Sequence, residues 1–339
     1  MRLYAAIDLH SNNGVLVIID ELDKVVYEQR LPNDLQVVLA EMAPYRERVQ
    51  AVAVESTFNW YWLVDGLMAA GYEVRLVNTV AVKVYDGCKY TGDEQDARHL
   101  AHLLRLGILP TGYIYPKEER AVRDLLRKRA QLVRCRTLQL LSMESWVNRH
   151  TGRGISADRV RGLGDVEIRR MAGGNPNGLL SMQSNRTVLQ CLDAQIQRLE
   201  QEILRQAKLK PAFEPLLTVD GIGPILGMTI MYETGPIERF GRVGQFASYA
   251  RCVNSRRLSN GRKKGEGNRK NGNKFLGWAF VEVAHHAVQA NERIRRFYQR
   301  KKAKTNGIVA TKAVAHKLAR ACYHVIRDQV PFDVARAFL

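Results

Sequence analysis

The sequence predicts an α/β N-terminal domain, a long helical middle and a mainly helical C-terminal domain. Three observations carry that expectation. Three β-branched, alternating runs precede the first helical pattern. Two long stretches near the centre repeat at helical spacing. The last third is strongly basic and contains a Gly-Ile-Gly turn between apolar segments.

Leu3–Asp8, Gly14–Asp20 and Val25–Leu31 read as successive strands. Ser11-Asn12-Asn13-Gly14 and Asp20–Lys24 supply the turns. Asp34 is placed to cap a helix running to about Met42. Val49–Val54 is almost purely apolar, as a buried parallel strand should be. A helix over Trp60–Ala70 closes at Gly71, Glu73–Val77 is a fifth strand, and helical spacing returns from Glu94 to Leu106. The order βββαβαβα is that of the RNase H-like fold, shared by junction resolvases and sugar-kinase-type ATPases.

From Glu118 to about Asn148 the pattern is helical, with Val122, Leu126, Val133, Leu140 and Val147 along one side. A second helix is expected from Met182 to Lys208. Its Leu189, Leu192, Ile196, Leu199 and Ile203 alternate steps of three and four, the spacing of a coiled-coil seam. Gly152–Gly178 holds seven glycines in 27 residues and reads as a flexible connection. The segment is expected to be an antiparallel hairpin or an oligomerisation arm. Leu216–Pro224 reads as helix, tight turn and helix, in the manner of a helix-hairpin-helix motif, with Gly221 and Gly223 offering backbone N–H groups to a phosphate. The expected domains are 1–115 (RNase H-like), 116–210 (helical, coiled-coil) and 211–339 (mainly α).

Charge separates these parts. Of 52 Lys/Arg and 34 Asp/Glu, residues 1–115 hold 10 and 15, a net of −5, while residues 116–339 hold 42 and 19, a net of +23. A basic surface of that size attracts nucleic acid. The short, interrupted apolar runs predict no transmembrane helix, and the N-terminus lacks the pattern of a secretory signal. Five scattered cysteines without CxxC spacing read as reduced thiols, so a cytoplasmic location is expected.

Four carboxylates are candidates for chemistry. Asp8 and Glu55 end strands that neighbour each other in an RNase H-like sheet, and Asp93 and Asp96 share one face at a helix start. Carboxylates so grouped bind two Mg²⁺ ions roughly 3.5–4 Å apart for in-line phosphoryl transfer. Singly, each is better explained as a turn residue, a surface charge or a complement to the helix dipole, and only together are the four harder to dismiss. A sugar-kinase-type site would need glycine close behind the first aspartate, whereas here Gly14 is the nearest.

Arg251–Lys274 carries nine basic residues and one acid, Glu266, and its Gly and Asn content reads as a loop. Arg256, Arg257, Arg262, Lys263, Lys264, Arg269 and Lys270 are expected to contact nucleic acid. Arg293–Lys304 has seven more basic residues and no acid, and seven between Arg120 and Arg136 face either nucleic acid or solvent. On chemistry alone Ser259 is a polar loop residue.

Asp8 in AIDLH, Glu55 in VAVEST, and Asp93 and Asp96 in TGDEQDARHLAHLLR resemble the DEDD motif of insertion-sequence transposases. The Gly-Ile-Gly turn, FASYARCVNS, Ser259-x-Gly261 and GEGNRKNGNKFLGW resemble the family's second domain in the same order. The resemblance implies DNA strand exchange guided by an element-encoded bridge RNA, with dimers assembling to tetramers. It also implies a serine nucleophile that forms a covalent 5′-linked DNA intermediate, with the acidic site contributed by a partner protomer. The family's Ser-Gly is here Ser259-Asn260-Gly261, with Ser255 as the alternative, and its Ile-Thr/Ser-Lys is here Asn268-Arg269-Lys270. Two other readings stand beside a recombinase. A metal-dependent junction resolvase or nuclease would need only the carboxylates, and a non-catalytic nucleic-acid-binding protein only the basic half.

Overall fold

The computed structural model describes residues 1–88, 92–207, 211–253, 256–266 and 271–339, the side chains of 86–88, 207, 256–258, 263 and 266 apart. The chain divides into two compact units, Met1–Lys117 and Glu118–Leu339.

In the first unit, β1 (Leu3–Leu9), β2 (Asn13–Asp20) and β3 (Val25–Pro32) form an antiparallel meander. The β2–β3 turn is held by Asp20, whose Oδ1 accepts from the backbone N–H groups of Leu22 and Lys24 at 2.8 and 2.9 Å. Helix α1 (Leu35–Met42) starts at Asp34, which accepts from Gln36 N–H at 2.8 Å. The chain continues through β4 (Val49–Glu55), α2 (Tyr61–Ala69), β5 (Val74–Val77) and α3 (Asp93–Arg105). The sheet order is β3-β2-β1-β4-β5, with β4 parallel to both β1 and β5. This is the mixed sheet that the element order predicted.

Strand alternation decides which helix covers which face. Leu3, Ala5, Ile7 and Leu9 of β1 pack toward Val38 and Met42 of α1 and Leu63, Val64 and Leu67 of α2. Ala6 of β1 and Ala53 of β4 pack toward Ala97, Leu100 and Ala101 of α3. Asp8 and Glu55 lie two residues further along those strands, hence on the α3 face.

In the second unit, α4 (Lys117–Thr151), whose first residue closes the first unit, and α7 (Pro176–Ala207) run antiparallel. Arg129 pairs with Glu200, Arg136 with Asp193, and Ser142 with Asn185, so one number falls as the other rises. Leu189, Ile196 and Ile203 are buried, with Leu192 and Leu199 half-buried. The segment expected to be a flexible connection is instead folded. It forms α5 (Ala157–Arg161) and α6 (Asp165–Ala172), whose Val160, Ile168 and Ala172 join Leu163, Met143, Trp146, Val147 and Met182 in a small core. The glycines between them lie at turns and helix ends, where they set boundaries without preventing burial.

The basic run of α4 also differs from expectation. Arg120 and Arg123 are buried, and Arg127, Arg129 and Arg136 pair with acids of the second unit, leaving Lys128 and Arg134 exposed. The partners Glu233, Glu200 and Asp193 are far away in sequence, so a local count of charge could not reveal them.

The rest of the unit comprises α8 (Phe213–Leu217), α9 (Pro224–Thr234), α10 (Val243–Tyr249), β6 (Arg256–Ser259), β7 (Arg262–Glu266), α11 (Lys274–Ala290), α12 (Glu292–Lys304), α13 (Gly307–Asp328) and α14 (Val334–Ala337). Helix α9 is buried from Gly227 to Thr234 and lies within the largest hydrophobic core. Among the described residues, Cys135, Cys191, Cys252 and Cys322 are free thiols. Burial pushes the Cys252 thiol up to about 12.

Residues 251–274, expected to be a loop, contain an antiparallel β-hairpin instead. The two-residue turn Asn260-Gly261, with φ of 50° and 71°, joins Ser259 to its ladder partner Arg262. Asn-Gly is a preferred pair for a turn with both φ positive, and it closes a hairpin even where apolar residues are scarce.

Gly221 has φ +85°, and a Cβ there would lie 2.6 Å from the backbone of Val283 and Ala287 in α11. Its glycine is required by a close helix approach. Gly221→Ala is expected to destabilise the protein by on the order of 1–3 kcal/mol, measured by urea unfolding. An alanine variant of unchanged stability would contradict this account of the turn.

Candidate active site

The acidic site is built on register. Ala6 pairs with Ala53 and Ile7 with Val54 across the parallel β1–β4 ladder, so Asp8 and Glu55 end the two strands abreast. Asp8 is buried and Glu55 half-buried. Helix α3 begins at the same end of the sheet, with Asp93, Glu94 and Asp96 in its first turn. Asp93 and Asp96 precede Ala97 and Leu100 on the stripe that packs against the sheet. The positive end of the α3 dipole therefore lies at the end of the sheet that carries the carboxylates.

His10 completes the group. Its Nε2 lies 3.5 Å from Asp8 Oδ2 and 3.3 Å from Asp93 Oδ2. That nitrogen is buried and takes no hydrogen bond. Its backbone is held from three sides: the N–H donates to Asn13 O, and the carbonyl accepts from Asn33 Nδ2 at 3.1 Å and Asn59 Nδ2 at 2.9 Å. Thr57 Oγ1 in turn donates to Asn59 Oδ1 at 2.9 Å. Among the described residues, Asp8, His10 and Asp93 form the group whose ligand atoms lie within 4.8 Å of one another.

Arg30 reaches this group from β3. Its Nη2 donates to Asp93 Oδ2 at 2.8 Å and its Nη1 to Asn13 Oδ1 at 2.9 Å. The hydrogen bond from Arg30 holds the Asp93 carboxyl below its ordinary pKa, with the charge of His10 adding and partial desolvation opposing. His10 and Arg30 were not anticipated as site residues. The signal for His10 was present, since it stands two positions after Asp8 and strand periodicity puts the two on one side.

An orphaned imidazole nitrogen between the carboxylate oxygens of Asp8 and Asp93 fits a divalent cation, while Glu55 and Asp96 are not part of that close group. The carboxylate oxygens suit Mg²⁺ or Mn²⁺, and the imidazole nitrogen adds a donor of the kind that transition-metal ions accept.

The remaining predicted residues lie in the second unit. Ser259 is exposed at the end of β6, and Arg262 and Lys264 are exposed on β7. Arg256, Arg257 and Lys263 belong to the same two strands, but their side chains are outside the described set, as are residues Ser255, Arg269 and Lys270 altogether. Gly223 is exposed at the N-cap of α9, where Pro224 occupies the first helical position. Helix α12 presents Arg293, Arg295, Arg296, Arg300, Lys301, Lys302 and Lys304 to solvent.

Residues 5–150 match the DEDD transposase family of IS110, and residues 214–299 match the transposase IS116/IS110/IS902 family. The chain belongs to the IS110-type DEDD transposases. Over 247 residues it is 26% identical to a probable family 20 transposase of Pseudomonas aeruginosa, an alignment that spans 70% of this chain and 71% of that protein. This transposase is accordingly a DNA recombinase, and the acidic site and the serine hairpin fall within the two matched segments. No helix among its described residues is long and apolar enough to cross a membrane.

Two outcomes follow for the acidic site. Asp8→Asn and His10→Ala should each weaken Mn²⁺ binding by about tenfold or more, read by isothermal titration, with the fold intact by circular dichroism. Arg30→Gln should raise the Asp93 pKa toward the ordinary value of about 3.9, read from its carboxyl-carbon shift in NMR titration. In the unaltered transposase the folded-state pKa lies below the unfolded one. The Asp93–Arg30 contact therefore contributes stability at neutral pH, and that contribution is lost as pH falls through the lowered value. A titration midpoint unmoved by Arg30→Gln would show that Arg30 is not the cause.

Proposed function

We propose that this transposase cuts and rejoins DNA by serine chemistry, with Asp8, Glu55, Asp93 and Asp96 holding Mg²⁺. The exposed hydroxyl of Ser259, at the end of a strand in a strongly basic hairpin, is the observation that carries the reading.

In the proposed step, Ser259 Oγ forms a bond to the scissile phosphorus as its proton passes to a base. The bond to the 3′ oxygen breaks, and that oxygen leaves as a 3′-hydroxyl after taking a proton. The DNA 5′-phosphate is then joined to the serine. In the second step, the 3′-hydroxyl of another strand attacks this phosphoserine, regenerates Ser259 and leaves an exchanged strand. One P–O ester replaces another at each step, so no external energy source is needed. Arg262 and Lys264 can stabilise charge on the phosphorane oxygens, but guanidinium and ammonium groups do not accept the serine proton. A bound divalent ion supplies charge stabilisation and activation of an oxygen nucleophile.

DNA binding itself is assigned to the second unit: the hairpin, α12 and the Gly221–Gly223 turn as a helix-hairpin-helix-like element. The working division is 1–115 for the acidic chemistry, 116–210 for the arm and 211–339 for the serine chemistry. An element-encoded bridge RNA as guide, and dimers assembling to a tetramer, complete the reading. Exposed Leu138, Leu141 and Leu180 on the arm support an assembly role for it. The second reading, a metal-dependent junction resolvase or nuclease, draws on the Asp8–His10–Asp93 group, which needs no serine.

Trapping the reaction on DNA distinguishes them. A denaturing gel should show a protein–DNA adduct that maps to Ser259, is abolished by Ser259→Ala and survives Ser255→Ala. Asp8→Asn should bind DNA normally and fail to cleave it. Full recombination by Ser259→Ala would remove the serine mechanism and leave the nuclease reading. DNA affinity should also fall steeply with salt, as counterions are released from the phosphates. Tight duplex binding by residues 1–117 alone would defeat the assignment of affinity to the basic unit.

A further inference from the structure

Among the described residues of the second unit, Glu233 is the carboxylate that is wholly buried, at 0% exposure. It sits in the last turn of α9, where the helix dipole is unfavourable to negative charge. Two groups compensate for that placement. Arg127 of α4 donates twice, Nε to Oε1 at 2.7 Å and Nη2 to Oε2 at 2.8 Å. Asn273 Nδ2 donates to Oε2 at 2.7 Å. The Arg127 guanidinium also stands 4.6 Å from the centre of the Phe275 ring.

Asn273 joins this pair to the segment that carries Ser259. Its Oδ1 caps α11 by accepting from Phe275 and Leu276 N–H, and its own N–H donates to Tyr249 O at 2.6 Å. Next to it, Gly272 has φ +82°, and a Cβ there would lie 2.5 Å from Tyr249 O. Arg251 Nε donates to the carbonyls of Asn271 and Gly272 at 3.1 Å each. The chain entering the hairpin, at Tyr249 and Arg251, is thereby fastened to the chain leaving it, at Asn271–Asn273.

A buried ion pair is an inefficient way to gain stability, since apolar residues of similar volume often serve as well or better. What a bidentate, fully hydrogen-bonded carboxylate supplies is direction. We infer that Arg127, Glu233 and Asn273 are positioning residues for the Ser259 hairpin, and that through Arg127 the hairpin's placement depends on helix α4 of the arm. The inference rests on the reading of Ser259 as nucleophile. The three residues act through Asn273 on the feet of the hairpin and need no contact with DNA. A shift of α4 against α9 would break the bidentate pair and leave the buried Glu233 carboxylate with Asn273 as its remaining side-chain donor among the described residues, disturbing the seat of Asn273.

The experiment uses the full chain and two variants. Glu233→Gln keeps the shape and an acceptor for Asn273 but loses the charged seat of Arg127. Arg127→Met combined with Glu233→Gln removes both charges, so no buried ion is left unpaired if the single variant folds poorly. Hydrogen exchange without DNA should accelerate at the Asn273 amide and in β6 and β7, with α13 keeping its unaltered rates. Single-turnover cleavage should fall on the order of 100-fold, as expected for a nucleophile displaced by about 1 Å, with DNA affinity unchanged. Unchanged exchange at the hairpin in both variants, or an equal rise throughout α9 and α13, would overturn the positioning role. If the unaltered protein forms no adduct at Ser259, the nucleophile reading fails by itself, and the exchange data alone then decide whether the network holds the hairpin.

Discussion

The parallel register of β1 with β4 is the constraint from which the acidic site follows. A sheet with period two can set two carboxylates side by side only if neighbouring strands end together and share a face. Ala6 opposite Ala53 and Ile7 opposite Val54 meet both conditions. The small alanines matter as much as the acids, because they let α3 approach the sheet closely. That approach brings Asp93 and Asp96 to the same edge. A one-residue slip between β1 and β4 would put one of the two strand-end acids against α1 and α2, with no ligand opposite it.

In the second unit the shaping constraint is the fate of arginine. Residues 118–339 hold 41 Lys/Arg against 19 Asp/Glu. Some of these arginines are used inside, where Arg129 and Arg136 align the two long helices and Arg127 meets Glu233. What is turned outward includes seven basic residues of α12 and, on β7, Arg262 and Lys264. Internal arginines thus set the geometry, while these exposed cations face solvent.

Which features were legible in the sequence depends on the range of the interaction that made them. The Asp34 cap and the first three strands depend on neighbours a few residues away, and local pattern sufficed. Asp8 and Glu55 could be singled out only in company with Asp93 and Asp96, as acids at two neighbouring strand ends and one helix start. His10 was harder to read, because after a strand and before Ser-Asn-Asn it looks like the first residue of a turn. The β6–β7 hairpin was obscured by a rule that equates strands with apolar content, although Asn260-Gly261 specifies the turn. The inward-facing arginines of α4 were illegible in principle from a local window, since their partners lie 57 to 106 residues away.

Electrostatics explains why the acidic edge invites a cation. Asp8, Glu55, Asp93 and Asp96 belong to a segment, residues 1–115, of net charge −5. Among the described residues, the positive groups paired with Asp8 and Asp93 are the Arg30 guanidinium and His10 when protonated, with the N-terminus of α3 beside Asp93. Arg30 is half exposed, so water screens it, and it is spent on Asp93. A helix terminus contributes roughly half an elementary charge. Asp8 is buried and has a histidine nitrogen, not a guanidinium, as its cationic neighbour. At the Asp8–His10–Asp93 group two carboxylates thus meet one guanidinium, already engaged by Asp93, and a histidine nitrogen. A divalent cation there would balance both carboxylates with one particle. It would also leave Arg30 free to exchange its contact with Asp93 for one with a phosphate oxygen.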